Sequence, residues 1–105
     1  MNKSNIIKKG REVLNTEAGA IRNLSKGLDQ NFIKAVNLII KLEGKLILSG
    51  VGKSGNIANK LASSFTSTGV PSIYLNPVDA SHGDMGIVSQ GDVLIVLSNS
   101  GESYE

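Results

Sequence analysis

Apolar residues at Ile6, Ile7, Val13, Leu14, Ala18, Ile21, Leu24 and Leu28 recur at spacings of three, four and seven. That period predicts one long helix with a single apolar stripe, weakened by Gly10 and Gly19. The stripe needs a partner, either the same domain or a neighbouring subunit. Asp29 is placed to cap a second helix, Gln30 to Leu42, with Phe32, Ile33, Val36, Ile39 and Ile40 on one face and Gly44 just beyond its end.

The period then changes. "KLILSG" is a short apolar run bounded by Gly44 and Gly50, too short for a helix and suited to a buried parallel strand. "GNIANKLASSFTSTG" predicts a helix closed by Gly69, "PSIYL" a second strand, "NPVDASHGDMGIVSQG" a Gly-rich connection, and "DVLIVLSN" a third strand without polar alternation. Strand, helix, strand and strand in this order predict an α/β fold. N-terminal helices (1–43) precede the first part of an open parallel sheet flanked by helices (44–105), a flavodoxin- or Rossmann-like three-layer arrangement. Three strands leave a sheet face or edge poorly covered, so the expectation is the front of a larger domain, cut after the third strand.

Composition narrows the function classes. Eleven Lys and Arg stand against nine Asp and Glu, a net charge of +2 with no basic tract, which argues against a nucleic-acid partner. Cysteine is absent, excluding disulfides and thiolate metal sites. No run approaches the roughly 18 apolar residues of a membrane span, and the N-terminus lacks a signal-peptide core. The expectation is a cytoplasmic protein with no membrane partner.

The chemistry concentrates at "GVGKSG", Gly50 to Gly55. A nucleoside-triphosphate P-loop ending in Gly52-Lys53-Ser54 requires a glycine where Ile47 stands, inside the strand. The stretch does match G-x-G-x-x-G between a strand and a helix, but a dinucleotide site also wants an acid about 20 positions on, at the end of the second strand. That end reads Leu75-Asn76-Pro77, and Asp79 lies past the proline. A phosphorylated sugar fits better: turn amides, a helix N-terminus and the Lys53 ammonium all favour an anion. A second turn, "SNSGES", follows the third strand and offers Ser98, Ser100 and Ser103 beside Gly101. At the C-terminal ends of neighbouring parallel strands, both turns face one crevice.

With "STGVPS" and "DASHGDMGIV" between them, "GVGKSG" and "LSNSGES" resemble, in order and spacing, the sugar isomerase (SIS) domain of the arabinose-5-phosphate isomerases. The resemblance implies a five-stranded parallel sheet flanked by helices, a homo-oligomer, usually a tetramer, and in many members a C-terminal pair of CBS domains. It implies interconversion of D-ribulose 5-phosphate and D-arabinose 5-phosphate, toward the Kdo of Gram-negative lipopolysaccharide. Carried over by position, it puts Lys53, His82 and Glu105 in the active site and Gly69 and Val70 near the sugar. Gly52 and the hydroxyls of Ser54, Ser98, Ser100 and Ser103 would hold the phosphate. The family's other implicated acid and histidine have no counterpart in these 105 residues.

An aldose and its ketose interconvert through an enediol, which needs a proton-moving group and a donor or cation to steady the enediolate. Lys53 suits the second role; Glu105, His82 or the downstream histidine suits the first. A lone histidine in a polar loop is ordinarily a structural hydrogen-bonder, but the setting of His82 in "SHGDMG" favours catalysis. Asp84 reads as a turn or capping carboxylate. Relatives often carry, before the proline, a histidine that joins an inhibitory zinc site. With Asn76 there, no tight metal site is expected, and enediol isomerisation requires no cofactor. The rival reading is a non-catalytic phosphosugar-sensing SIS module; "HGDMG" and Glu105 favour the enzyme, since neither is needed merely to hold a phosphate.

Overall fold

The computed structural model describes residues 2–81 and 83–99. The chain divides into two compact units, Met1–Ala35 and Val36–Glu105. In the first, helix α1 spans Lys3–Lys26. It starts three residues ahead of the apolar stripe because Asn2 caps it, its Oδ1 accepting from Asn5 N–H at 2.8 Å. Gly27 closes it by donating to the Leu24 carbonyl at 3.0 Å. Helix α2, Gln30–Ile40, runs across the division. Asp29 caps it as expected, accepting from Asn31 N–H at 2.9 Å. The helix ends two residues before Leu42, which turns off by donating to the Ile39 carbonyl at 3.2 Å.

The second unit is built on a parallel sheet of order β2-β1-β3, with β1 Leu46–Gly50, β2 Ser72–Tyr74 and β3 Val93–Leu97. Strand β1 is buried throughout, and Leu46, Ile47 and Leu48 are each 0% exposed, as a continuous apolar run in a central strand requires. Helix α3, Lys53–Ser67, lies on one face of the sheet. Its buried residues toward the sheet are small, Ala58 and Ala62, which allows close approach over Leu46 and Leu48. Ile39, Leu42, Phe65, Val93, Ile95 and Leu97 pack around that cluster. Burying each large aliphatic side chain contributes about 1.5–3 kcal/mol.

Gly69 closes α3 as expected. Its φ of +96° is the left-handed geometry that glycine adopts freely, and Val70 N–H reaches back to the Phe65 carbonyl at 3.0 Å. Two features depart from the sequence pattern. The Gly-rich connection contains a short helix α4, Pro77–Ser81, and a turn of 3-10 helix, Asp84–Ile87. Asn76 makes α4 possible: its Oδ1 accepts from Val78 N–H at 2.8 Å, its carbonyl accepts from Ala80 N–H at 2.9 Å, and Pro77 is preset for the first helical position. In β3, moreover, burial alternates although polarity does not. Val93, Ile95 and Leu97 face the α3 core, whereas Leu94 and Val96 are 51% and 60% exposed on the other face.

The sheet's N-terminal end is fastened by Asp92. Its carboxylate accepts from Lys45 Nζ at 2.8 Å, Lys45 N–H at 2.8 Å and Ser89 N–H at 2.7 Å. These bonds, the Lys45 side chain's first, push its pKa down from 3.8 to about 2. Among the described residues no helix is long and apolar enough to cross a membrane.

Candidate functional site

The first turn is shaped by glycines that tolerate no side chain. A Cβ on Gly50 would meet the backbone of Ser54 at 2.9 Å, and one on Gly55 would meet the Gly50 carbonyl oxygen at 2.5 Å. The end of β1 and the start of α3 therefore touch backbone to backbone. Between them Gly52 takes φ +63° and forms the N-cap of α3 without any side-chain hydrogen bond to the helix. The first intrahelical bonds belong to Gly55 N–H, to Val51 O at 3.4 Å, and Asn56 N–H, to Gly52 O at 3.2 Å. The amides before them have no acceptor within the helix and point beyond the sheet, with the positive end of the helix dipole behind them. Lys53 and Ser54 open this helix, Lys53 exposed and Ser54 half-buried.

The second turn leaves the sheet at the same level. Gly50 is paired with Leu97 in the β1/β3 ladder, so Ser98 and Asn99 start directly beside the first turn. The order β2-β1-β3 makes this a topological switch point. The chain leaves β1 toward β2 on one side and returns to β3 on the other, opening a crevice at the carboxyl ends of β1 and β3. Gly52, Lys53, Ser54 and Ser98 are thus brought to one end of the sheet. His82, Ser100, Ser103 and Glu105 lie outside the described residues.

Gly69 and Val70 go elsewhere. They stand beyond the C-terminus of α3, whose 15 residues span roughly 22 Å. They precede Ser72, which pairs with Leu46 at the start of β1, so within one chain they lie at the opposite end of the sheet from Lys53.

A cleft of about 540 Å³ lies at the end of β2, lined by Tyr74, Leu75, Asn76, Asp79, Gly83 and Gly86. The "HGDMG" segment is thus represented in it by its two glycines. Asn76, at the tip of β2, is committed to capping α4, so the carboxylate of this cleft is that of Asp79, past Pro77, and not one at the strand end where a dinucleotide ribose wants it.

Two residues of this region are not evident from the sequence. Ser49 Oγ donates to the Leu75 carbonyl at 2.5 Å, and Leu75 N–H donates to the Leu48 carbonyl at 2.9 Å, prolonging the contact of β1 with β2 up to the cleft. Tyr74 Oη donates to the Gly50 carbonyl at 3.0 Å, joining cleft and turn. A tyrosine near the end of a strand beside a Gly-rich turn was the available signal, but only the register shows which carbonyl it reaches.

Comparison with known proteins agrees with this geometry. The SIS domain family model matches residues 39–105. The arabinose 5-phosphate isomerase KdsD of Escherichia coli (strain K12) is 45% identical over 96 residues, covering 91% of this chain and 29% of that protein. The arabinose 5-phosphate isomerase GutQ of Salmonella typhimurium is 40% identical over 100 residues, covering 95% of this chain and 31% of that protein. The solved structure of an E. coli CFT073 protein in complex with arabinose 5-phosphate superposes with a TM-score of 0.91 at 38% identity, covering 98% of this chain and 55% of the other. The chain thus spans about 30% of the length of these curated relatives. With its matched residues taking in the sheet, α3 and both turns, the chain belongs to the SIS domain family.

Proposed function

We propose that the crevice between the two turns is the phosphosugar site of an aldose–ketose isomerase interconverting D-arabinose 5-phosphate and D-ribulose 5-phosphate. The observation that carries the reading is the Gly50–Leu97 pairing, which starts both turns at one level of a switch point, in a chain whose relatives include arabinose 5-phosphate isomerases. The amides at the start of α3, which have no acceptor within the helix, and the hydroxyls of Ser54, Ser98, Ser100 and Ser103 hold the phosphate, with Gly52 letting the backbone approach.

In the open-chain aldose, a base removes the C2 proton while the carbonyl oxygen gains negative charge, giving an enediolate that Lys53 steadies. Transfer of the O2 proton to O1 and return of the abstracted proton to C1 complete the ketose, so no atom is gained or lost and no cofactor is required. His82 and Glu105 are the proton-moving groups this chain supplies. Gly69 and Val70, at the far end of the same sheet, serve a sugar only through a second copy, which suits a homo-oligomer. The product leads to Kdo and lipopolysaccharide in the cytoplasm, with neither nucleic acid nor membrane as partner.

The test is a chimera in which residues 1–105 replace the matching part of E. coli KdsD, assayed for conversion of ribulose 5-phosphate to arabinose 5-phosphate. Turnover that disappears with Lys53→Ala supports the reading. A folded chimera that binds phosphosugar without turnover favours a sensing module instead.

A further inference from the structure

Tyr74 occupies a position that neither the phosphate site nor the proton chemistry uses. Its ring packs against the core under α3 and also lines the cleft at the end of β2. Its hydroxyl donates to the Gly50 carbonyl at 3.0 Å, and a Cβ added to Gly55 would lie 2.9 Å from the Tyr74 hydroxyl oxygen. The hydroxyl therefore sits at the point where β1 ends and α3 begins. Strand β2 stops pairing with β1 at Tyr74 and Leu48, two residues short of Gly50. Past that point Ser49 is still tied to Leu75 through its hydroxyl, and at Gly50, where the turn begins, the Tyr74 hydroxyl supplies the hydrogen bond on the β2 side.

We propose that Tyr74 is a positioning residue: through the Gly50 carbonyl it fixes the Gly50–Gly55 turn and so sets its affinity for a phosphorylated sugar. The affinity part rests on the function proposed above; the fixing of the turn does not. The turn carries flexible glycines at its beginning, middle and end, so its amides converge on an anion only if something outside the turn holds them. A neutral hydroxyl on a backbone carbonyl does this without adding charge to the site.

The test is Tyr74→Phe in the full chain, which removes one oxygen and keeps the ring. Amide hydrogen exchange is read residue by residue, alongside equilibrium binding of D-arabinose 5-phosphate. The expected result is exchange about fivefold faster at Gly55 and Asn56, unchanged exchange at Leu46 to Leu48, and affinity weakened about fivefold. Exchange at Gly55 and Asn56 within about twofold of the original chain would overturn the proposal. So would acceleration spread evenly over β1 and α3, the mark of a merely structural role. If exchange responds as expected but neither chain binds the phosphosugar, the fixing of the turn stands and the functional reading fails.

Discussion

The Gly50 carbonyl oxygen lies 2.5 Å from where a side chain on Gly55 would begin. This contact holds the first turn of α3 against the end of β1. Gly55→Ala is therefore expected to push the helix off the strand, costing about 1–3 kcal/mol, as overpacking of a close contact does. Chemical denaturation of the two chains checks it. Gly10→Ala, in α1 with open space around the added carbon, should be neutral or stabilising.

Lys53 is exposed at the first position of α3, so its loss should leave the fold intact while removing the cation proposed above to steady the enediolate. Lys53→Ala in the KdsD chimera is expected to lower kcat by about 10²–10³, with stability changed by no more than about 0.5 kcal/mol. Steady-state kinetics and a melting curve on one preparation separate the two effects.

Asp92 fastens the other end of the sheet, and its depressed pKa gives that fastening a pH window. A carboxylate whose folded pKa lies below its unfolded value stabilises fully above the unfolded value, 3.8, and loses the contribution as pH falls through about 2. The original chain should therefore lose stability between pH 4 and 2 more steeply than Asp92→Asn, the two converging at the acid end. Thermal unfolding across that range measures the difference in slope.

The exposed face of β3 carries Leu94 and Val96 side by side on one side of the strand. Adjacent apolar residues on an uncovered sheet face favour association, and a single charge opposes it. Val96→Lys is expected to raise the monomer fraction of the 105-residue chain at fixed concentration in sedimentation velocity.

Much of this was legible in the sequence for identifiable reasons. "KLILSG", bounded by Gly44 and Gly50, was too short for a helix and suited to a buried parallel strand, and Leu46–Gly50 forms β1. The G-x-G-x-x-G spacing required a turn between strand and helix, and Gly50, Gly52 and Gly55 each serve it. The exposure of Leu94 and Val96 was not legible, because an apolar run does not say which neighbours cover it. Helix α4 was hidden because its five residues are too few for a period, and only the Asn76-Pro77 capping pair announces it. The role of Tyr74 depended on register, which residue types alone do not specify.

The most direct test is a titration of the isotope-labelled chain with D-arabinose 5-phosphate, followed by backbone amide shifts. Saturable shifts concentrated at Val51 to Gly55 and at Ser98 and Asn99, absent with NAD and weakened by Lys53→Ala, are the predicted result. A folded chain whose two turns do not respond to the phosphosugar, or respond instead to the dinucleotide, would contradict the account.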